Sequence, residues 1–73
     1  MGEAPAEKTG IQEAVEKAGD QKTLAAQLGV TQQNVSWWVG RGFVTLDRAV
    51  EIEAQYGVDR KRLVDPKLVD LLS

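Results

Sequence analysis

Gln32, Gln33, Ser36 and Trp37 are the side chains whose types and spacing fit a definite chemistry. A glutamine amide carries a donor and an acceptor side by side. That pair matches the N6 and N7 edge of adenine, and each good bidentate pair gives roughly 1–3 kcal/mol of discrimination. At about 100° per residue, with Val35 centred on a buried face, a helix over 32–39 puts Gln33 and Trp37 nearly opposite the core. Ser36 and Gly40 flank them, while Trp38 and Val39 fall on the buried side. Gln32 is intermediate in azimuth but stands at the N-terminal tip, where a helix entering a groove first meets bases. Ser36 can donate to a base or a phosphate. Adjacent helical residues do not face one core together, so Trp38 is structural and Trp37 points outward. An exposed indole can pack on thymine methyl groups or sugar, with its N–H reaching a phosphate, or it can form part of a protein contact. An exposed polar helix face also looks like this when it has no ligand at all.

Reading bases requires that such a helix be held rigidly. The residues just before it predict how. A first helix over 21–28 opens behind Asp20, a good N-cap, and must stop at Gly29. The second opens behind Thr31. Leu24, Ala25, Leu28, Val30, Val35 and Trp38 then meet in one small core, with the small Ala25 where the helices cross most closely. This is a helix-turn-helix, whose second helix enters the major groove. Gln21 and Lys22 stand in the first turn of the first helix, where outward N–H groups favour an anion. Gly40-Arg41-Gly42 is expected to end the second helix at Val39 and turn sharply, with Arg41 offering a fork of donors suited to phosphate.

Gln21, Leu24-Ala25, Leu28-Gly29-Val30-Thr31-Gln32-Gln33, Val35-Ser36, Trp38 and Gly40-Arg41-Gly42 together resemble the helix-turn-helix of the lambdoid phage Cro and repressor proteins. They are closer still to the YdaS-like Cro relatives of prophages. The resemblance extends more loosely over residues 11–63. It implies a compact all-α, five-helix, lambda-repressor-like DNA-binding domain that binds double-stranded operator DNA and regulates transcription, most simply by blocking polymerase. It implies base contacts from Gln32, Gln33 and Ser36, joined by Trp37, which departs from the polar or basic residue the family has there. It places Gln21, Lys22, Thr31 and Arg41 against the DNA backbone. The Thr31-Gln32-Gln33 start is similar to one lambdoid repressor whose half-sites are A·T-rich at their outer ends. With so few basic groups one copy should bind weakly, so a homodimer on a pseudo-palindrome is expected, without need of a stable dimer in solution.

Composition narrows the alternatives. The 73 residues allow one domain, which buries roughly 60% of its unfolded surface and is stable by a few kcal/mol. With no Cys and no His, disulfides, the usual zinc ligands, the usual general base and an activated thiol are all missing. An enzyme, a metal site, a cofactor and a small-molecule substrate are therefore not expected. No apolar run spans a bilayer and the acidic start lacks a signal-peptide core, so no membrane partner is expected, and the expected location is the cytoplasm of a bacterial host, at the nucleoid. The net charge of −2 opposes duplex binding as a total. Its distribution does not: residues 21–46 contain no Asp or Glu, and Lys22 and Arg41 are their only charges.

The remainder reads as scaffold. Residues 1–9 are expected to be a disordered tail, 10–64 the domain, and 65–73 a short apolar helix or tail. Thr9 and Gln12 have capping-box spacing, and Ile11, Ala14, Val15 and Ala18 form a helical stripe that ends at Gly19. Glu13 and Lys17 are an i,i+4 pair. Phe43 and Val44 return to the core, Thr45 caps a helix over 46–56, and Gly57 ends it. That helix has an apolar arc (Leu46, Ala49, Val50, Ile52, Ala54, Tyr56) wider than one small core needs. Arg48 is a weaker phosphate candidate, and Arg60-Lys61-Arg62 reads as a solvated face. Asp65-Pro66 reads as an N-cap and first helical residue, and the end lacks the alternation a strand would need. The competing function is a protein-interaction or antitoxin-type module on the same scaffold, supported by the acidic total and by Trp37.

Overall fold

Helix α1, Gly10–Ala18, starts in a capping box: the Gln12 N–H donates to the Thr9 hydroxyl at 3.2 Å and the Gln12 side-chain oxygen accepts from the Thr9 N–H at 2.9 Å. Helix α2, Gln21–Leu28, starts behind Asp20, whose carboxylate accepts from the Thr23 N–H at 2.7 Å. That backbone bond holds the Asp20 carboxyl below its ordinary pKa. Gly29 ends α2 in the left-handed conformation, at φ 71°. Helix α3, Gln32–Arg41, starts behind Thr31, whose hydroxyl accepts from the Asn34 N–H at 3.1 Å. Helix α4 is Leu46–Tyr56. Two 3-10 turns follow, Arg60–Arg62 and Pro66–Leu68, and α5, Val69–Leu72, closes the order. The computed structural model describes residues 8–72, and among them the fold is all-α with no strand. No helix among these residues is long and apolar enough to cross a membrane.

The core joins both kinds of segment. Ile11 and Ala14 from α1, Leu24, Ala25 and Leu28 from α2, Val35 and Trp38 from α3, and Ala49 and Ile52 from α4 are buried together. Val44, Val58, Leu63 and Val64, all outside the α-helices, complete it. The Val44 N–H donates to the Leu63 carbonyl at 2.7 Å, tying the loop after α3 to the first 3-10 turn. Charged side chains brace the outside. Arg62 reaches Glu13 and the Lys8 carbonyl, and Lys17 donates to the Tyr56 carbonyl at 3.1 Å, at the C-terminal end of α4. The Arg62 guanidinium holds the Glu13 carboxyl below its ordinary pKa. Gly10 is buried against this turn, where a Cβ would collide with the Arg62 carbonyl.

Several sequence expectations need correction. Helix α3 runs past Val39 to Arg41, because Gly40 keeps a helical backbone and only Gly42, at φ 93°, turns left-handed. Phe43 is half-buried and lies outside the core, beneath Arg41. Thr45 occupies the N-cap position of α4 with an extended backbone, but its side chain makes no cap bond. The apolar arc on α4 is, as expected, wider than the core uses: Ala49 and Ile52 are buried, while Leu46 and Val50 are exposed. At the C-terminus Val69 packs on the core, while Leu68 and Leu71 stay exposed. The expected disordered tail lies outside the described residues except for Lys8 and Thr9, which pair with Glu16 and cap α1.

Candidate nucleic-acid interface

Helices α2 and α3 pack against each other as the turn at Gly29 dictates, and α1 lies against both. Burial of Val35 and Trp38 fixes the azimuth of α3. Trp38 is 8% exposed and Trp37 is 64% exposed, so adjacent indoles serve opposite sides of one helix. Gln32, Gln33 and Ser36 are exposed with Trp37, and this face is brought together as the sequence predicts. Asn34 is half-buried, so it does not join the set.

The expected backbone contacts divide. Lys22 is exposed in the first turn of α2, with no ion-pair partner among the described residues. Thr31 already spends its oxygen on the Asn34 N–H, which leaves its hydroxyl hydrogen to donate outward. Arg41 is exposed but not loose: its Nε donates to the Phe43 carbonyl at 3.0 Å and its guanidinium lies 4.9 Å from the Phe43 ring centroid. The remaining guanidinium nitrogens are therefore presented from a fixed plane. Gln21 is half-buried and lines an open groove with Val39, Lys8, Gln12, Val15 and Glu16.

That groove corrects the charge argument. Residues 21–46 are free of acid in sequence, but the fold brings Glu16 of α1 alongside Gln21. Lys8 neutralises it, with Nζ 2.6 Å from the carboxylate. Elsewhere most of the described acids are also occupied. Glu13, Glu51 and Glu53 pair with Arg62, Arg48 and Arg60, and Asp20, Asp59 and Asp65 cap the turns that follow them. Arg48, a weaker phosphate candidate in the sequence, is committed to Glu51 at 2.7 Å and to the Leu28 carbonyl at 3.4 Å. Its bond to Leu28 closes the end of α2. The two cations of residues 21–46, Lys22 and Arg41, are thus outside the ion pairs that absorb most other charges among the described residues.

Sequence reasoning missed Phe43 and Lys8 as parts of this surface, and placed Gly40 on it but in a loop rather than in the helix. Phe43 reads as core by type, and its role depends on a guanidinium two residues away folding back over it. Lys8 reads as tail, and only the α1 turn after Thr9 carries it to Glu16. The Gly-Arg-Gly triplet reads as a loop because two glycines flank a charge, and helical φ at the first of them has no sequence signal.

No curated protein and no solved structure matches the chain. The model of one protein family, described as bacterial toxin YdaS, matches residues 11–63, from α1 through the first 3-10 turn and the buried Leu63. The match spans the capped helix pair, its exposed α3 face and the elements that brace them, and the chain belongs to this prophage-associated family of small helix-turn-helix-like proteins.

Proposed function

We propose that the protein is a sequence-specific double-stranded DNA-binding regulator, a Cro-like repressor of a prophage, that reads the major groove with α3. The observation that carries this is the joint exposure of Gln32, Gln33, Ser36 and Trp37 on a helix whose opposite side is locked by Val35 and Trp38. Glutamine amides read adenine, Ser36 donates, and Lys22, Arg41, Thr31 and Gln21 anchor to phosphates. No step in this reading requires a cofactor or a metal. Two copies on a pseudo-palindrome double the phosphate contacts, which a chain with so few unpaired cations needs.

A toxin- or antitoxin-type module acting through a protein partner is the second reading. It is favoured by the 64% exposure of Trp37 and by the family's description as a toxin. Selection of bound duplexes from a random DNA pool, with affinity read at two salt concentrations, separates the two. The DNA reading expects a palindrome with adenines near its outer ends and an affinity that falls as salt rises. It also expects Gln33→Ala to lose discrimination at one base pair while Arg41→Ala weakens all sequences alike. A pool that stays unenriched would leave the protein-partner reading standing.

A further inference from the structure

Trp37 is the one large apolar side chain on a face of α3 that is otherwise polar, and it is 64% exposed. Arg41 stands four residues after it, at the spacing where a guanidinium can lie over an indole. Of the aromatic rings, indole attracts a cation best. Arg41 lies instead over Phe43, 4.9 Å from the ring centroid, and its Nε donates to the Phe43 carbonyl. The cation that could have covered Trp37 is thus held elsewhere, and the indole is left open.

Gln33 shows where that indole points. The two residues are four apart on one line along the helix, and both stand opposite the buried Val35. A helix placed so that Gln33 reaches a base edge therefore aims Trp37 at the groove floor too. The two lie roughly 6 Å apart along the axis, under two base-pair steps of about 3.4 Å. The floor offers an indole a single apolar group. Guanine shows N7 and O6, adenine N7 and N6, and cytosine N4, while thymine adds a methyl group at C5. Covering the polar edges with a ring that has one N–H to return leaves them unsatisfied. Covering the methyl removes apolar surface from water.

We infer that Trp37 reads the pyrimidine C5 methyl group itself, so that 5-methylcytosine serves it as thymine does and the protein distinguishes methylated from unmethylated cytosine in its operator. The inference rests on the DNA-binding reading and deepens it by naming the chemistry of the ligand. A C5 methyl occupies the same place in the major groove on either pyrimidine. An operator with cytosine at this place is bound weakly until that cytosine is methylated. Gln33 and Trp37 divide the work, the amide taking adenine and the indole taking the methyl group nearby.

The test takes the duplex enriched from the random pool and replaces each thymine by uracil, one position at a time. Cytosine and 5-methylcytosine are then compared at each pyrimidine position. One position should respond, within about two base pairs of the pair at which Gln33→Ala loses discrimination. There uracil should weaken wild-type binding about fourfold per half-site, the effect of burying one methyl group, and 5-methylcytosine should bind tighter than cytosine by about the same factor. Trp37→Ser should make methylated and unmethylated duplexes equivalent, and Trp37→Phe should keep them apart. The readout is a ratio of affinities within one protein, so a general loss of stability or affinity in a variant does not imitate it. No responding position in wild type, or a response that Trp37→Ser leaves unchanged, would overturn the methyl reader while leaving the DNA reading intact. A wild-type protein that binds no duplex in the pool would bring down the reading and the inference together.

Discussion

Phe43 carries the Arg41 guanidinium 4.9 Å from its ring centroid, and its own carbonyl accepts from Arg41 Nε at 3.0 Å. A long, flexible cation is thereby fixed before any phosphate arrives, so less side-chain entropy is lost on binding. Phe43→Leu should keep the fold, since the ring is only half-buried and outside the core, but should release Arg41. The expected result is a several-fold loss of affinity for every duplex sequence, with base preferences unchanged, and Phe43→Tyr should restore binding. A titration series over several duplexes checks this, and a loss confined to one sequence would place Phe43 in base reading instead. At this scale the partition of Trp37 from Trp38 was readable, because neighbours on a helix must diverge by about 100°. Phe43 was not, because residue type alone does not tell a core aromatic from one that supports a cation.

Capping chemistry set the helix starts. Thr9, Asp20 and Thr31 each accept from the N–H three residues on, as their types and spacing predict. Thr45 looks the same in sequence and has the same extended backbone, yet makes no such bond. The bracing between elements was not readable, because it joins residues far apart in the chain. Glu13 on α1 meets Arg62 in the first 3-10 turn and Lys17 on its own helix. Its carboxyl is held below the ordinary pKa chiefly by the bond to Arg62. A depressed folded pKa stabilises the fold above the unfolded value, about 4.3 for glutamate, and that contribution is lost as pH falls through the folded value. Glu13→Gln should therefore melt below wild type at neutral pH, and the gap should close as acid protonates wild-type Glu13. Melting curves across that range check the sign. A gap that widened in acid would show that Glu13 is not the titrating brace. Asp20, lowered by its cap bond to Thr23, titrates the same way in both proteins and does not enter the difference.

For the molecule as a whole, charge distribution decides more than total charge. A net charge of −2 is compatible with a DNA-facing surface because ion pairs and caps occupy most of the described acids, while Lys22 and Arg41 stay outside those pairs. The sequence showed the acid-free stretch but not Glu16, which folding places beside Gln21 and Lys8 neutralises. This arrangement fixes how binding responds to salt. Each neutralised phosphate contributes a slope of roughly −0.9 to log K against log salt on duplex DNA. The two anchoring cations of each copy, Lys22 and Arg41, give a slope of roughly −2 for one bound copy and roughly −4 for a pair on a palindrome. Arg41→Gln should lower the slope by about one per copy, so the change itself reports how many copies are bound. Exposed Leu46 and Val50 on α4, with Leu68 and Leu71 beyond it, leave apolar surface that a second copy on DNA could cover. Titration of the enriched duplex across a salt series, with stoichiometry from sedimentation at the same concentrations, checks both quantities. A slope near −2 with two copies bound would mean that only half of the four anchors contact phosphates. A slope near −4 that falls by two on Arg41→Gln is the signature of two equivalent copies using the same anchors.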